Sequence, residues 1–366
     1  MSRVPLARRN LLADRRRLAA SVIGVGLAVM LILLLDGMWA GIRAQTTLYT
    51  DRVGADLYVL QPGIRDLTAG ASTLPLTTLD TVRADADVEW ASPVRSTYSV
   101  LQLHSKKVAA YVIGAVPGEH GGPWSITEGR AAEAVDEIVV GSLLADLHGI
   151  DVGDRLEVMG RDFRVVGRAE TNGFMMSYVF VTHAALEVAG AEPDTTSFVV
   201  VGTGQPAPVQ ERLRDAGLNV LDRDTVAANN LRFAVGIFGS PLRLMVAIGL
   251  AAGTMIIALT AYTAVIERRR EYGIVKAMGG TRRQLVGVAL AQTLALAAMG
   301  LAAGWVLFLL GRVAIVSSRP QFSVLVTGGA FARATLAALV MALLAAIIPA
   351  RRLAALEPAV AYRSAA

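Results

Sequence analysis

Hydrophobic and charged positions are sharply segregated along this chain. Residues 18–35, 244–266, 285–311 and 334–350 carry no Asp, Glu, Lys or Arg over 18, 23, 27 and 17 positions. Crossing ~30 Å of hydrocarbon takes about 20 helical residues at ~1.5 Å each, so each run reads as a membrane helix. The fourth is short as counted and is expected to begin before Arg333, whose long side chain can reach the interface. The pattern predicts spans at 18–40, 241–266, 285–311 and 331–350. An alternative for the first is a cleaved signal peptide, since arginines precede it and small residues follow it. Its apolar run of 18 exceeds the roughly 7–15 residues of a signal core, which favours a retained helix.

Residues 41–240 alternate instead. ADLYVLQP, STYSVLQLHSKKVAAYVIGAV and TSFVVVGT read as strands. In DRLEVMGRDFRVVGRAE two alternating runs flank Gly160-Arg161-Asp162, a hairpin signal. VVGSLLADLHGI reads as a strand passing into a helix that stops at Gly149, and PVQERLRDAGL as a helix that stops at Gly217. An α/β domain is therefore expected between the first two membrane helices.

Charge orients the whole. The formal net charge of +5 combines a middle segment, 41–240, with 16 Lys/Arg against 25 Asp/Glu, and a remainder with 19 against 5. The cations cluster in the basic N-terminal segment 1–17, in the loop 267–284 and in the tail 351–366. By the positive-inside rule all three are cytoplasmic. Both termini then lie inside, and the short loop 312–330 lies outside. The fold expected is an α-helical membrane protein with four transmembrane helices and a large extracytoplasmic α/β domain, 41–240, between helices 1 and 2. Because the positive charge flanks membrane spans and forms no single face, the sequence pI of 9.7 does not indicate a nucleic-acid partner.

Chemistry is sparse. With 54 % hydrophobic residues and a mean hydropathy of +0.51 the chain is too apolar for one soluble domain. It has no cysteine, which excludes disulfides and thiolate metal sites. His104, His120, His148 and His183 show no zinc-binding spacing, so no metal site is expected. There is no G-x-S-x-G elbow, and no G-x-x-x-x-G-K-[ST] phosphate loop: none of the three lysines follows a glycine. The chain is read as non-enzymatic, with no cofactor of its own. Asp36 in LLLDGMW sits at the outer end of helix 1, where Trp39 anchors the interface, and Arg243, Arg312 and Arg319 are expected at the same level, able to pair with it.

The loop ERRREYGIVKAMGGTRRQL has an internal plan. Glu267 to Glu271 read as helix 2 continued into water. Tyr272, Val275 and Met278 then recur at helical spacing until Gly279-Gly280, and Thr281 can cap the next helix. A positive-inside anchor on anionic lipid would explain the arginines but not Glu267, Glu271 or the glycines. The other reading is a short amphipathic helix able to dock in a groove of a soluble partner.

This loop resembles the E-R-x-R-E-x-G-x-x-K-A-x-G-A-x-R-x-x-I stretch of the MacB/FtsX-type permeases of ABC transporters, with Gly280 at the family's usual alanine. The similarity continues in ARRNLLADRRRLAASVIGVGLAVMLI, in IIPARRLAALEPAVAYRSA and in the middle run from ITEGR to VVGRAE. The resemblance implies a permease subunit of a bacterial inner (plasma) membrane, dimeric with a second copy or a related permease. A separate cytoplasmic ATPase dimer binds ATP and Mg, and the loop is the coupling helix seated on it. Carried over by position, Glu267, Arg268, Arg270, Glu271, Gly273, Lys276, Ala277, Gly279 and Arg282 become the expected ATPase-contacting set. Membrane lipid and a periplasmic adaptor or external protein are further implied partners. The implied function is export or extraction of a hydrophobic compound, peptide, glycolipid or lipoprotein. The alternatives are an FtsX-like mechanotransmitter that works an external partner such as a cell-wall hydrolase, and a membrane-anchored receptor or scaffold.

Overall fold

The computed structural model describes residues 15–68, 72–103, 106–171, 177–318 and 323–354. In chain order its elements begin with α1 (Arg15–Thr46), α2 (Leu48–Arg52), β1 (Leu57–Leu60), β2 (Leu74–Pro75), α3 (Thr77–Arg83), β3 (Trp90–Leu103), β4 (Lys106–Ala115) and β5 (Ile126–Gly129). There follow β6 (Glu137–Gly141), α4 (Ser142–His148), β7 (Arg155–Val158), β8 (Arg161–Ala169), β9 (Ser177–Thr182), α5 (His183–Val188), β10 (Thr195–Thr196) and β11 (Phe198–Gly202). The chain ends with α6 (Pro206–Asp215), β12 (Asn219–Asp222), α7 (Arg223–Glu267), α8 (Arg269–Ala277), α9 (Arg282–Ser318) and α10 (Ala330–Ala354). Two compact units result, a helical one from the two ends of the chain and a sheet one from residues 41–238.

In the helical unit, α1, α7, α9 and α10 are long and apolar enough to cross a membrane. Each runs past the span expected for it; α7 has 45 residues, about 68 Å at ~1.5 Å per residue, more than twice the ~30 Å of hydrocarbon. Small residues set the packing. A methyl group on Gly300 or Gly304 of α9 would collide with Val25 or Val29 of α1, so the two backbones approach as closely as glycine permits. Val25, Val29, Leu33, Ile257, Leu296 and Met341 form the core of the bundle, and the Ser21 and Thr260 hydroxyls bond at 2.8 Å between α1 and α7.

The sheet unit is a mixed sheet in the order β12-β1-β11-β3-β4-β9-β6-β8-β5, with β7 added to β8. Its central strands are buried on both faces, so period-two alternation sorts side chains between cores rather than between core and water. Tyr58, Tyr111, Tyr178, Phe180 and Phe198 fill one face. On the other, Leu57, Val59 and Val199 pack beneath α3 and α6, while Val112, Val179 and Phe163 pack beneath α4 and α5. Gly149 and Gly217 end α4 and α6 with φ of 62° and 86°. The hairpin turn falls on Met159-Gly160, with φ of 55° and 74°, and Arg161-Asp162 already belong to β8. The turn is therefore of the I′ kind, whose twist suits a hairpin even with methionine at one left-handed position.

One buried carboxylate ties β6 to its neighbours. Glu137, 3 % exposed, takes bonds from Arg130 at 2.5 and 2.7 Å, from Arg164 at 2.8 Å, and from the backbone N–H groups of Glu133 and Ala134. The Arg130 guanidinium, ahead of the backbone donors, holds its pKa down at about 2. An unfolded glutamate ionises near ~4.3, so this contribution is complete above about pH 4.5 and is lost as pH falls toward 2. Glu137→Gln should cost about 2 kcal/mol at neutral pH and flatten the acid limb, as read by thermal unfolding of residues 41–238 from pH 7 to 2.

Candidate functional site

The loop between α7 and α9 is built by three backbone interruptions. Helix α7 ends at Glu267, and Arg268 leaves helical geometry at φ −110°, ψ 21°. The break therefore comes before Glu271, unlike the continuous helix expected over 267–271. Helix α8 follows for nine residues. It stops where Gly279 turns left-handed at φ 93° and the Gly280 N–H bonds back to the Val275 carbonyl at 2.9 Å. A side chain on Gly280 would press on that carbonyl, which is why the second glycine follows the first. Thr281 and Gln284 then cap α9 reciprocally: the Gln284 N–H bonds to Thr281 Oγ1 at 3.4 Å, and the Thr281 N–H to Gln284 Oε1 at 2.9 Å.

Both glutamates are engaged within the chain. Glu267 accepts from Arg17 of α1 at 2.7 Å, and Glu271 from Arg268 at 3.2 Å. Tyr272 and Val275 point inward against Val265, Leu285, Val288, Ala289 and Leu353, so α8 rests on α7, α9 and α10 together. Gln292 of α9, 3 % exposed, donates Nε2 to the Tyr272 hydroxyl at 3.4 Å.

The expected contact residues divide accordingly. Glu267, Arg270, Glu271, Ala277, Gly279 and Arg282 are exposed, while Arg268 and Lys276 are half-buried. Gly273 is buried and is not part of the outer surface, because it follows Tyr272 onto the inward face. Met278 was expected on the same face as Tyr272 and Val275, yet it is 75 % exposed, since α8 ends one residue before it. With Ile274, 42 % exposed, it gives the outer surface an apolar element that helical spacing from Tyr272 did not reveal.

At the other end of the bundle Asp36 is paired, but with a different arginine. Arg333 of α10 holds it in two bonds, Nε to Oδ1 at 2.6 Å and Nη2 to Oδ2 at 2.7 Å, and also donates to Thr327 Oγ1 at 2.6 Å. Arg243 is turned to its own helix, onto the Gly239 carbonyl and the Ser240 hydroxyl. Arg312 donates to the Val324 carbonyl at 2.9 Å, and Arg319 lies outside the described residues. The difference is steric. Residues 323–329 lie across α1, with Val324 buried and the Leu325 N–H bonded to the Gly37 carbonyl at 3.1 Å, which brings the start of α10 beside Asp36 and gives Arg312 a backbone acceptor.

Comparison with known proteins finds two family models on this chain. That of the MacB-like periplasmic core domain matches residues 18–216, and that of the FtsX-like permease C-terminal region matches residues 243–358. An uncharacterised ABC transporter permease of Mycobacterium tuberculosis is 27 % identical over 362 residues, covering 97 % of this chain and 98 % of its own. Another, of Mycobacterium bovis, is 26 % identical over 359 residues, covering 95 % and 96 %. Among solved structures, the periplasmic region of MacB from Actinobacillus actinomycetemcomitans covers 49 % of this chain and 92 % of its own, at 12 % identity and a TM-score of 0.38.

The cysteine-free sequence makes the seating of α8 measurable. Val275→Cys should react with a maleimide about tenfold more slowly than Met278→Cys, because access governs thiol reactivity. Adding Gly280→Val should lift the inward face from its cluster and bring the two rates together. Equal rates without that third change would mean that α8 is not seated as described.

Proposed function

The chain belongs to the MacB/FtsX-type ABC transporter permeases, and from that membership we propose that it couples a separate cytoplasmic ATPase to an extracytoplasmic domain through the 267–284 loop. As an ABC transporter permease it works with an ATPase partner. In this reading both termini and α8 face the cytoplasm, two permease copies stand over an ATPase dimer, and ATP and Mg are held by that dimer. Residues 41–238 face outward and act on a hydrophobic compound, peptide, glycolipid or lipoprotein.

The observation that supports this most is the two-sided build of α8. Its inner face is fixed to three membrane helices through Tyr272 and Val275, and its outer face offers Arg270 and Glu271 beside Ile274 and Met278. Displacement of that outer face by a partner is delivered to all three helices at once. A loop serving only as a lipid anchor has no need of an inner face. Helix α7, continuous from Arg223 to Glu267, is the element suited to carry such a displacement outward. Stimulation of ATP hydrolysis by a cargo would favour export, whereas ATP-driven movement without cargo would favour transmission to an external protein.

Two measurements test the reading. Met278→Cys should label with a membrane-impermeant maleimide only after lysis, and Asp162→Cys in intact cells; external labelling of Met278→Cys would overturn the orientation. The pair Glu271→Arg and Ile274→Asp should weaken ATPase co-purification by tenfold or more, since interface contacts of this kind are worth about 1–4 kcal/mol. Unchanged co-purification with normal membrane insertion would leave the loop an anchor.

A further inference from the structure

We infer that the sheet unit carries a binding site for an uncharged sugar headgroup, in a cavity of about 510 Å³ that opens where β11 parts from β3. The volume falls within the range of ligand sites, roughly 300–1,000 Å³. The site lies wholly within residues 41–238.

The cavity is held open by bonds that fix its walls. Tyr111 donates its hydroxyl to the Leu67 carbonyl at 2.7 Å, Tyr98 donates to the Thr68 carbonyl at 2.5 Å, and Asn230 accepts from the Leu67 N–H at 2.9 Å. The segment before Thr68 is thereby pinned from three directions. Across from it, Arg95 spends Nε on the Thr195 carbonyl at 2.8 Å and Nη2 on the Glu192 carbonyl at 2.9 Å. At the point of parting, β3 and β11 are joined by the Ser197 hydroxyl, which accepts from the Ser96 N–H at 2.9 Å.

Two residues that line this cavity each carry a buried polar atom without a hydrogen-bond partner among the described residues, Nη1 of Arg95 and Oγ1 of Thr68. The Arg95 side chain is only 4 % exposed. An unsatisfied buried donor is costly, so a ligand that brings an acceptor to Arg95 and a partner to the Thr68 hydroxyl recovers that cost on binding. The charge around Arg95 decides which acceptor. Glu187 already stands 3.6 Å from Nη2, Asp194 acts on the same guanidinium, and Asp66 and Glu192 line the cavity, so an anion would enter a site whose one cation is already countered by carboxylates. A neutral acceptor meets no such opposition. Sugar hydroxyls both donate and accept, which suits walls that combine an unspent N–H, hydroxyls at Thr68, Thr73 and Thr97, and carboxylates. Tyr98 completes the match: the residue is 49 % exposed, is held by its own hydroxyl bond, and lines the cavity with an aromatic side chain on which a sugar can stack.

The inference rests on the permease reading only in taking this unit to lie outside the cell. Its test uses the full chain in detergent without ATPase or nucleotide, so that the two fail separately. Maltotriose, chitotriose and mannotriose would be titrated by saturation-transfer NMR, with the tetrapeptide Ala-Lys-Ala-Thr as competitor. At least one trisaccharide should bind saturably at millimolar or tighter affinity. Tyr98→Ala and Thr68→Val should each weaken it about tenfold, and Tyr98→Phe less, with Glu119→Gln, outside the cavity, as an unchanged control. Failure of all three sugars to saturate, binding indifferent to both Tyr98→Ala and Thr68→Val, or displacement by the tetrapeptide at lower concentration than any sugar would each overturn the assignment.

Discussion

No ionised side chain can stand unpaired in hydrocarbon at modest cost, and that constraint orders this molecule from its sequence outward. A chain with 35 basic and 30 acidic residues can hold four membrane helices only by expelling those charges to the helix ends and to the unit between the first two helices. Among the described residues, buried polar side chains of the bundle such as Ser21, Gln292 and Thr293 are neutral, and Ser21 pairs with Thr260 across two helices. With no charge to hold the helices together, contact falls to shape, and the close approach of Gly300 and Gly304 to Val25 and Val29 is the outcome. Where charges return, they are used as ties between helices: Arg17 with Glu267 at one end, and Asp36 with Arg333 at the other.

The sheet unit solves a different problem with the same economy of signals. Each residue of β1 and β11 is buried, yet alternate residues belong to different cores. A strand with two buried faces has lost the polar half of its alternation, so register is specified by side-chain size and shape: Tyr58, Phe198 and Phe180 on one face, valines and leucines on the other.

This difference explains what could be read in advance. Membrane spans rest on charge-free runs of 17 or more residues, and the four-helix plan with an α/β insertion was legible from charge, hydropathy and the alternation within residues 41–240. The ends were not, because a helix leaving the bilayer continues on helical propensity and packing, as α7 does from Arg223. Turn chemistry located the hairpin to within two residues, and the shift onto Met159-Gly160 reflects strand pairing forcing a methionine to φ 55°. Pairing across the bundle was the least legible. Asp36 had several arginines within plausible reach, and the choice of Arg333 depends on how residues 323–329 cross α1, which no local pattern encodes. Gly273 illustrates the same limit, since a family motif fixes residue types but not which side of a nine-residue helix meets the protein itself.

Helix α8 is too short to be stable by its own hydrogen bonds, since isolated helices under about 12–15 residues are marginal in water. Its order must come from what it packs on, and Tyr272 and Val275 supply that packing against three helices. Having been fixed from one side, the helix is free to carry on the other side residues chosen for something other than its own stability. An exposed isoleucine and a methionine 75 % exposed, set among arginines and a glutamate, do nothing for an isolated chain in water. The glycine pair then acquires its meaning: by turning the chain back within two residues, it keeps α8 short, holds it flat against the helix ends, and leaves that outer face clear.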